Sequence, residues 1–474
     1  MRVNKTKMIS TIGPNSSDYA IIKNMIASGV DVIRINMAYA KFDFARDVIL
    51  NVRKINNEEN VTTGIMLDTV GPELRICGLE KPVISLERGK LIRIVSTGII
   101  GNSDIISVPY KEIIDHTKVG DFIYLNNATV KLQVTAKNDD TLLCQIHNTG
   151  KIISESTINI PNADFNIKFL SKYDEEVIKF ALQMQVDYLV LSNVREESDV
   201  LDVNDLLINL NDNNIQLLSK IENRHALDQI EKILKVSDGI IISRGDLALD
   251  MNIEKVPNIQ KTLTKLTKEK EKIVIISTDI LASMENNDTP TRAEVSDIAN
   301  AILDNVDALI LGSETAIGIY PVTTVKTMNK IIDEIENNIN YNNLLHEITR
   351  NENIQISKAI AYSTVDSANR VGAKAIICST MSGSTARDIS NYRPSCPVVA
   401  ISPNSKVVRG LTINYGIIPH IVGMAENTDE LVELSLQAVK KILKLEAGDK
   451  VVIAGSFPLE SVNYTNFMKI EEIK

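Results

Sequence analysis

Short runs of Val, Ile and Leu recur along the chain, at 8–12, 32–36, 64–68, 188–192, 216–220, 239–243, 273–278 and 308–312. Each is followed by a stretch whose apolar residues return with helical period. Strands apolar on both sides belong to a parallel sheet covered on both faces. Eight such units alternating with helices predict an α/β fold, a closed (β/α)8 TIM barrel rather than an open sheet. The pattern changes between the third and fourth runs. There, β-like segments at 91–96, 122–125, 130–134 and 142–147 are separated by turn residues, without a long helical period. This predicts a small all-β domain inserted after the third barrel strand. A helix-like stretch at 325–338 then leads into an Asn-rich, weakly apolar segment at 337–354. Strands at 375–379, 398–402, 420–422 and 451–454 alternate with helices as a further α/β unit. The expected division is a barrel of residues 1–71 and 162–340, an insertion at 72–161, and a C-terminal α/β domain at 341–474.

Composition narrows the function. Of 474 residues, 51 are Lys or Arg and 61 Asp or Glu, a net charge of −10 that argues against a nucleic-acid or anionic-membrane binder. No apolar run reaches the ~18 residues of a bilayer span, and the opening residues lack a secretory apolar region. A cytoplasmic protein is expected. Four scattered cysteines and five histidines form no zinc-ligand spacing. Neither a Gly-x-x-x-x-Gly-Lys-[Ser/Thr] nor a Gly-x-Gly-x-x-Gly loop is present, so a nucleotide must be held by another device.

Barrel sites form where strands end. Here those ends carry Arg34 and Asn36, Asp68 and Thr69, Ser192, Lys220 and Glu222, Asp246, and Thr278. Lys220 and Glu222, two apart, leave their strand on one side. Glu222 and Asp246 would offer hard oxygen ligands suited to Mg²⁺ or Mn²⁺; the plainer alternative is a Lys–Glu ion pair capping a strand. Arg34 and Arg75 would clamp a phosphoryl group, unless they are ordinary surface arginines. Asn36, Asp68 and Thr69 offer oxygens to a second, loosely held cation or serve as loop caps. The hydroxyls of Ser382, Ser384 and Thr385, between a strand and a helix, form either an anion site or an N-cap.

Taken in order, these residues resemble the pyruvate kinase family. The resemblance runs through Thr11-Ile12-Gly13-Pro14, Arg34-Ile35-Asn36, Leu67-Asp68-Thr69-x-Gly71-Pro72-Glu73-x-Arg75, Ser219-Lys220-Ile221-Glu222-Asn223, Arg244-Gly245-Asp246-Leu247, Pro290-Thr291-Arg292-Ala293-Glu294 and Glu314-Thr315-Ala316-x-Gly318-x-Tyr320-Pro321. It implies a barrel with a mobile β lid and a C-terminal α/β domain, in a homotetramer. The implied reaction is transfer of the phosphoryl group of phosphoenolpyruvate to ADP, with Mg²⁺ and K⁺. Under it, Glu222 and Asp246 hold the divalent metal, and Lys220 and Arg34 act on the phosphoryl group. Gly245, Asp246 and Thr278 bind substrate, and Asn36 and Arg75 lie toward the nucleotide. Asn36, Asp68 and Thr69 bind K⁺, and Glu73 matches the K⁺-requiring branch. Ser382, Ser384 and Thr385 resemble a pocket for a phosphorylated effector, with 456–466 as its partner loop.

Departures from the family pattern cluster on the nucleotide and lid side. Ala38 lacks the hydroxyl that completes the K⁺ shell, and Tyr39 replaces a histidine. Val70 and Ser156 replace lysines, and Asn126-Asn127-Ala128 stands where Asp-Asp-Gly is usual. Asn193, Asp279 and Ile317 replace Phe, Gln and Lys. A working but weakened or altered kinase is expected. The alternatives are a paralogue that binds phosphoenolpyruvate and metal as a sensor, or a metal-dependent lyase using the pyruvate enolate.

Overall fold

A computed structural model describes residues 4–72, 74–126, 128–161, 168–211, 214–348, 355–456 and 465–474. Eight parallel strands form the barrel: β1 Lys7–Thr11, β2 Val32–Asn36, β3 Gly64–Asp68, β4 Tyr188–Leu191, β5 Gln216–Ile221, β6 Gly239–Ser243, β7 Ile273–Ser277 and β8 Ala308–Leu311. Pairing of β8 with β1 closes the ring.

Side chains alternate faces along a strand, so the unbroken apolar runs divide into two cores. Ile33, Ile35, Ile65, Leu67, Ile240 and Ile242 point outward beneath the helices. Val32, Met66, Val190, Leu218, Ile241 and Ile275 fill the interior. Continuing the inward parity toward the strand ends gives Arg34, Asp68, Ser192, Lys220, Ser243 and Ser277. The polar upper layer therefore follows the alternation that packs the core below it.

The segment between β3 and β4 contains a six-stranded sheet, in the order Ile158–Asn159, Phe122–Leu125, Val130–Lys137, Thr141–Ile146, Leu91–Val95, Ile105–Ser107. A ribbon of Val83–Leu86 with Gly150–Ile153 flanks it, and Glu112–His116 adds one helical turn that buries Ile113 and Ile114. At the exit from β3, Gly71 has φ +73°, and a Cβ there would lie 2.3 Å from the Ser192 carbonyl oxygen. Only glycine meets both demands.

The C-terminal sheet runs in the order Ile417–Ile421, Val398–Ser402, Ala375–Ser379, Lys450–Gly455, Phe467–Glu472, the last strand antiparallel. A loop of this unit closes the lower end of the barrel. Ile413 joins the barrel-interior core, and its N–H donates to the Tyr188 hydroxyl at 3.2 Å. Buried Asp187 accepts from the Ile65 N–H at 2.9 Å, Arg409 Nε at 2.8 Å and Arg53 at 3.2 Å. Asp307 likewise accepts from the Val274 N–H at 2.9 Å, Lys268 at 3.0 Å and Arg393 at 2.9 Å.

Gly64, at the foot of β3, permits this approach: a Cβ there would stand 2.3 Å from Thr412 Oγ1 and 3.0 Å from the Tyr188 ring. Gly64→Ala is expected to cost about 1–3 kcal/mol through overpacking. Adding Thr412→Ala should relieve part of that loss, so the double variant falls short of the sum of the two singles. Urea midpoints of the four proteins check this; strict additivity would refute the contact.

Candidate active site

Between the upper rim of the barrel and the inserted unit lies a cavity of about 1120 Å³. Arg34, Lys220, Glu222, Asp246 and Thr278 line it from the barrel, and Tyr124, Ala128 and Asn159 from the insertion. Asn36, Thr69 and Gly245 also reach it.

On its floor, Lys220 Nζ lies 2.7 Å from Glu222 Oε1, and Glu222 Oε2 accepts from the Asn193 N–H at 2.6 Å. The ion pair of the plainer reading thus forms, but it forms inside the cavity. Burial, reinforced by the neighbouring Asp246 carboxylate, holds the Glu222 carboxyl well above the usual carboxylate range, against the pull of Lys220. Burial depresses Lys220, yet Glu222, Asp246 and Asp68 together outweigh it and keep the ammonium charged. Two adjacent carboxylates that repel one another in a buried site fit a divalent cation. Among the described residues, no group of three or more His, Cys, Asp or Glu side chains could hold a metal. Such an ion would complete its shell with water and substrate oxygens, as Mg²⁺ does.

Arg34 is held rigidly. It donates to Asp68 through Nε at 2.9 Å and a terminal nitrogen at 2.5 Å, and to Thr11 Oγ1 at 3.1 Å. Fully buried Asp68 is thus foremost the partner of Arg34. Thr69 Oγ1 donates to the Val190 carbonyl at 3.2 Å and accepts from the Ser192 N–H at 3.2 Å; Asn36 Oδ1 accepts from the Ala38 N–H at 3.0 Å. Asn36 and Thr69 thus act as hydrogen-bonded caps, and Asp68 as the arginine's partner.

Across the floor, the Gly245 N–H donates to Thr278 Oγ1 at 2.9 Å, and Thr278 donates to the Ser277 carbonyl at 2.5 Å. Thr278 has φ +68°, a region a β-branched residue rarely enters. Arg244 secures the turn by donating to the carbonyls of Thr278 at 2.8 Å and Asp279 at 3.3 Å while pairing with Asp297.

Arg75 does not line the cavity: it sits on the insertion, bridged to Thr157, and donates to the Glu155 carbonyl at 2.9 Å. Ser382, Ser384 and Thr385 lie far along the fold, lining a 60 Å³ pocket of the C-terminal unit with Met381 and Met424. There, Gly383 rather than a hydroxyl side chain caps the helix Ser384–Asn391, and Thr385 accepts from Thr465 at 2.7 Å. Among the departures, Tyr39 is 75% exposed at the cavity rim, and buried Ser156 turns its hydroxyl back to Ile153 at 2.8 Å. Val70 directs its N–H to Asp174 at 2.8 Å, and Ile317 is exposed. Glu73, Asn127 and most of the 456–466 loop lie outside the described residues. The sequence reading did not single out Ser243, whose hydroxyl donates to Asp246 at 2.5 Å. Its inward parity with Ile241 was the available signal.

Comparison with known proteins gives the family. The family description "Pyruvate kinase, barrel domain" matches residues 3–325, and "Pyruvate kinase, alpha/beta domain" matches 358–471. The pyruvate kinase of Clostridium perfringens is 35% identical over 473 residues, covering 99% of this chain and 100% of its own. That of Clostridium acetobutylicum is 36% identical over 471 residues, with coverage of 99% and 100%. The crystal structure of a pyruvate kinase from Cryptosporidium parvum superposes with a TM-score of 0.91 at 31% identity, covering 99% of this chain and 96% of that one. The chain belongs to the pyruvate kinase family.

Proposed function

We propose that this protein transfers the phosphoryl group of phosphoenolpyruvate to ADP, giving pyruvate and ATP. The observation that carries this reading is the meeting of Lys220, Arg34 and the Glu222–Asp246 pair on one cavity floor. In the reaction, the bond between phosphorus and the enol oxygen breaks, a bond to a terminal oxygen of ADP forms, and the enolate carbon takes up a proton. Lys220 stabilises charge on the phosphoryl oxygens in flight, and Arg34, fixed by Asp68, orients the phosphate. The Gly245 N–H and Thr278 hydroxyl hold the substrate carboxylate, with Thr278 beside the protonation path. Glu222 and Asp246 would hold Mg²⁺ or Mn²⁺, which when bound neutralises phosphoryl charge. We assign Asn36, Asp68 and Thr69 to K⁺, and Asn36 and Arg75 to the nucleotide side; Arg75 would act from the lid.

In this reading, residues 1–71 and 162–340 form the catalytic barrel, 72–161 the lid, and 341–474 an effector and assembly domain of a homotetramer. The pocket at Ser382, Ser384 and Thr385 takes a phosphorylated metabolite. A cytoplasmic location suits these substrates; no described helix is long and apolar enough to cross a membrane.

A coupled assay of ATP formation from phosphoenolpyruvate and ADP, with Mg²⁺ at varied K⁺, tests the reading. Mg²⁺-dependent ATP formation is expected. The inward-turned Ser156 hydroxyl favours a second reading, a sensor that binds phosphoenolpyruvate without ADP. Calorimetric binding of phosphoenolpyruvate, with neither ADP binding nor ATP production, would replace the first reading by the second.

A further inference from the structure

We propose that Ser243 is a positioning residue for the divalent cation, acting through Asp246. The inference rests on the reading of Glu222 and Asp246 as the cation's carboxylates. Ser243 ends β6, is 1% exposed, and donates from Oγ to Asp246 Oδ2 at 2.5 Å. That separation is the short one of a hydroxyl donating to a carboxylate oxygen.

The ion pairs of the floor bypass Asp246, since Arg34 is engaged by Asp68 and Lys220 by Glu222. Glu222 has both oxygens fixed, one by an ammonium and one by a backbone N–H. Asp246 stands instead in the first turn of the short helix Arg244–Asp250, with the Ser243 hydroxyl as its side-chain anchor. A free aspartate there would sample several rotamers, and each cation bound would have to select one. The hydroxyl removes that freedom. It engages Oδ2, fixes the plane of the carboxylate and leaves Oδ1 for a cation. Outer hydrogen bonds of this kind set ligand orientation, and their loss weakens metal affinity by about 10–100-fold.

The test is a Mn²⁺ titration of the full-length protein without substrate, read from the paramagnetic resonance signal of free Mn²⁺. Ser243→Ala is expected to weaken Mn²⁺ binding by about tenfold or more, with its melting temperature unchanged. Ser243→Cys, similar in size but a poorer donor, should fall between the two and carries the test if the alanine variant does not fold. Equal Mn²⁺ affinity in the wild type and both variants overturns the proposal while leaving the ATP-forming reading untouched. Asp246→Asn separates the two ideas: if it binds Mn²⁺ like the wild type, the carboxylate assignment itself falls, and this inference with it.

Discussion

Lys220→Met is expected to lower kcat by about 10²–10³-fold at saturating Mg²⁺. The KM for phosphoenolpyruvate should move far less, because the ammonium acts chiefly on charge that develops in the transition state. Methionine preserves most of the stem that packs into the barrel, so the loss isolates the charge. Glu222 loses its ammonium partner at the same time. Its carboxyl then binds a proton more readily, which raises the metal concentration needed for saturation. Kinetics should therefore be measured at several Mg²⁺ concentrations and extrapolated. Turnover within tenfold of the wild type would remove Lys220 from the mechanism.

The second large effect lies at the opposite end of the barrel. Asp307→Ala leaves the part-buried Lys268 and the buried Arg393 without the carboxylate that both engage. Arg393 is 1% exposed, and its remaining holds are the Asn305 carbonyl and the face of the Tyr415 ring, 4.1 Å away. Removing one member of a buried charge cluster costs about 3–5 kcal/mol. For a chain of this size, whose unfolding entropy is about 1 kcal/mol/K, the melting temperature should fall by about 3–5 °C. Asp307→Asn, which keeps an acceptor for the Val274 N–H, should lose less. Calorimetric scans of the three proteins check this; an unshifted alanine variant would mean that the cluster contributes no stability. Activity at low temperature should survive both changes, since Asp307 is far from the cavity floor.

What could be read from the sequence depended on burial. The barrel strands announce themselves because both of their faces are covered, so nearly every position must be apolar. Val83–Leu86 escapes that reading because it buries only alternate residues in a short ribbon. The edge strand Phe467–Glu472 escapes it too, since none of its residues is fully buried and it is held by pairing with Lys450–Gly455. The helix Tyr341–Ile348 hides in the Asn-rich segment because Leu345 is its one fully buried side chain. At the site, the strand ends gathered Arg34, Asp68, Lys220 and Glu222 at one rim, and parity put Lys220 and Glu222 on one side of their strand. What position along the chain cannot give is the partner: Asp68, read as a cation ligand, also accepts from Arg34, a contact between neighbouring strands. Arg75 follows its own strand pairing with Thr157 and so faces the insertion rather than the floor. Ala128 takes φ +60° where the family pattern has glycine, a strain that side-chain identity alone does not reveal.

The placement of Ile413 bears on how the protein is made. It lies about 100 residues beyond Leu311, so at about 5–20 residues per second a ribosome needs about 5–20 s to deliver it after the last barrel strand. Throughout that interval the nascent barrel has an open apolar foot, a surface that chaperones bind and that neighbouring chains on the same polysome can stick to. Release from such helpers would coincide with docking of the last third of the chain, making its arrival the checkpoint of biogenesis.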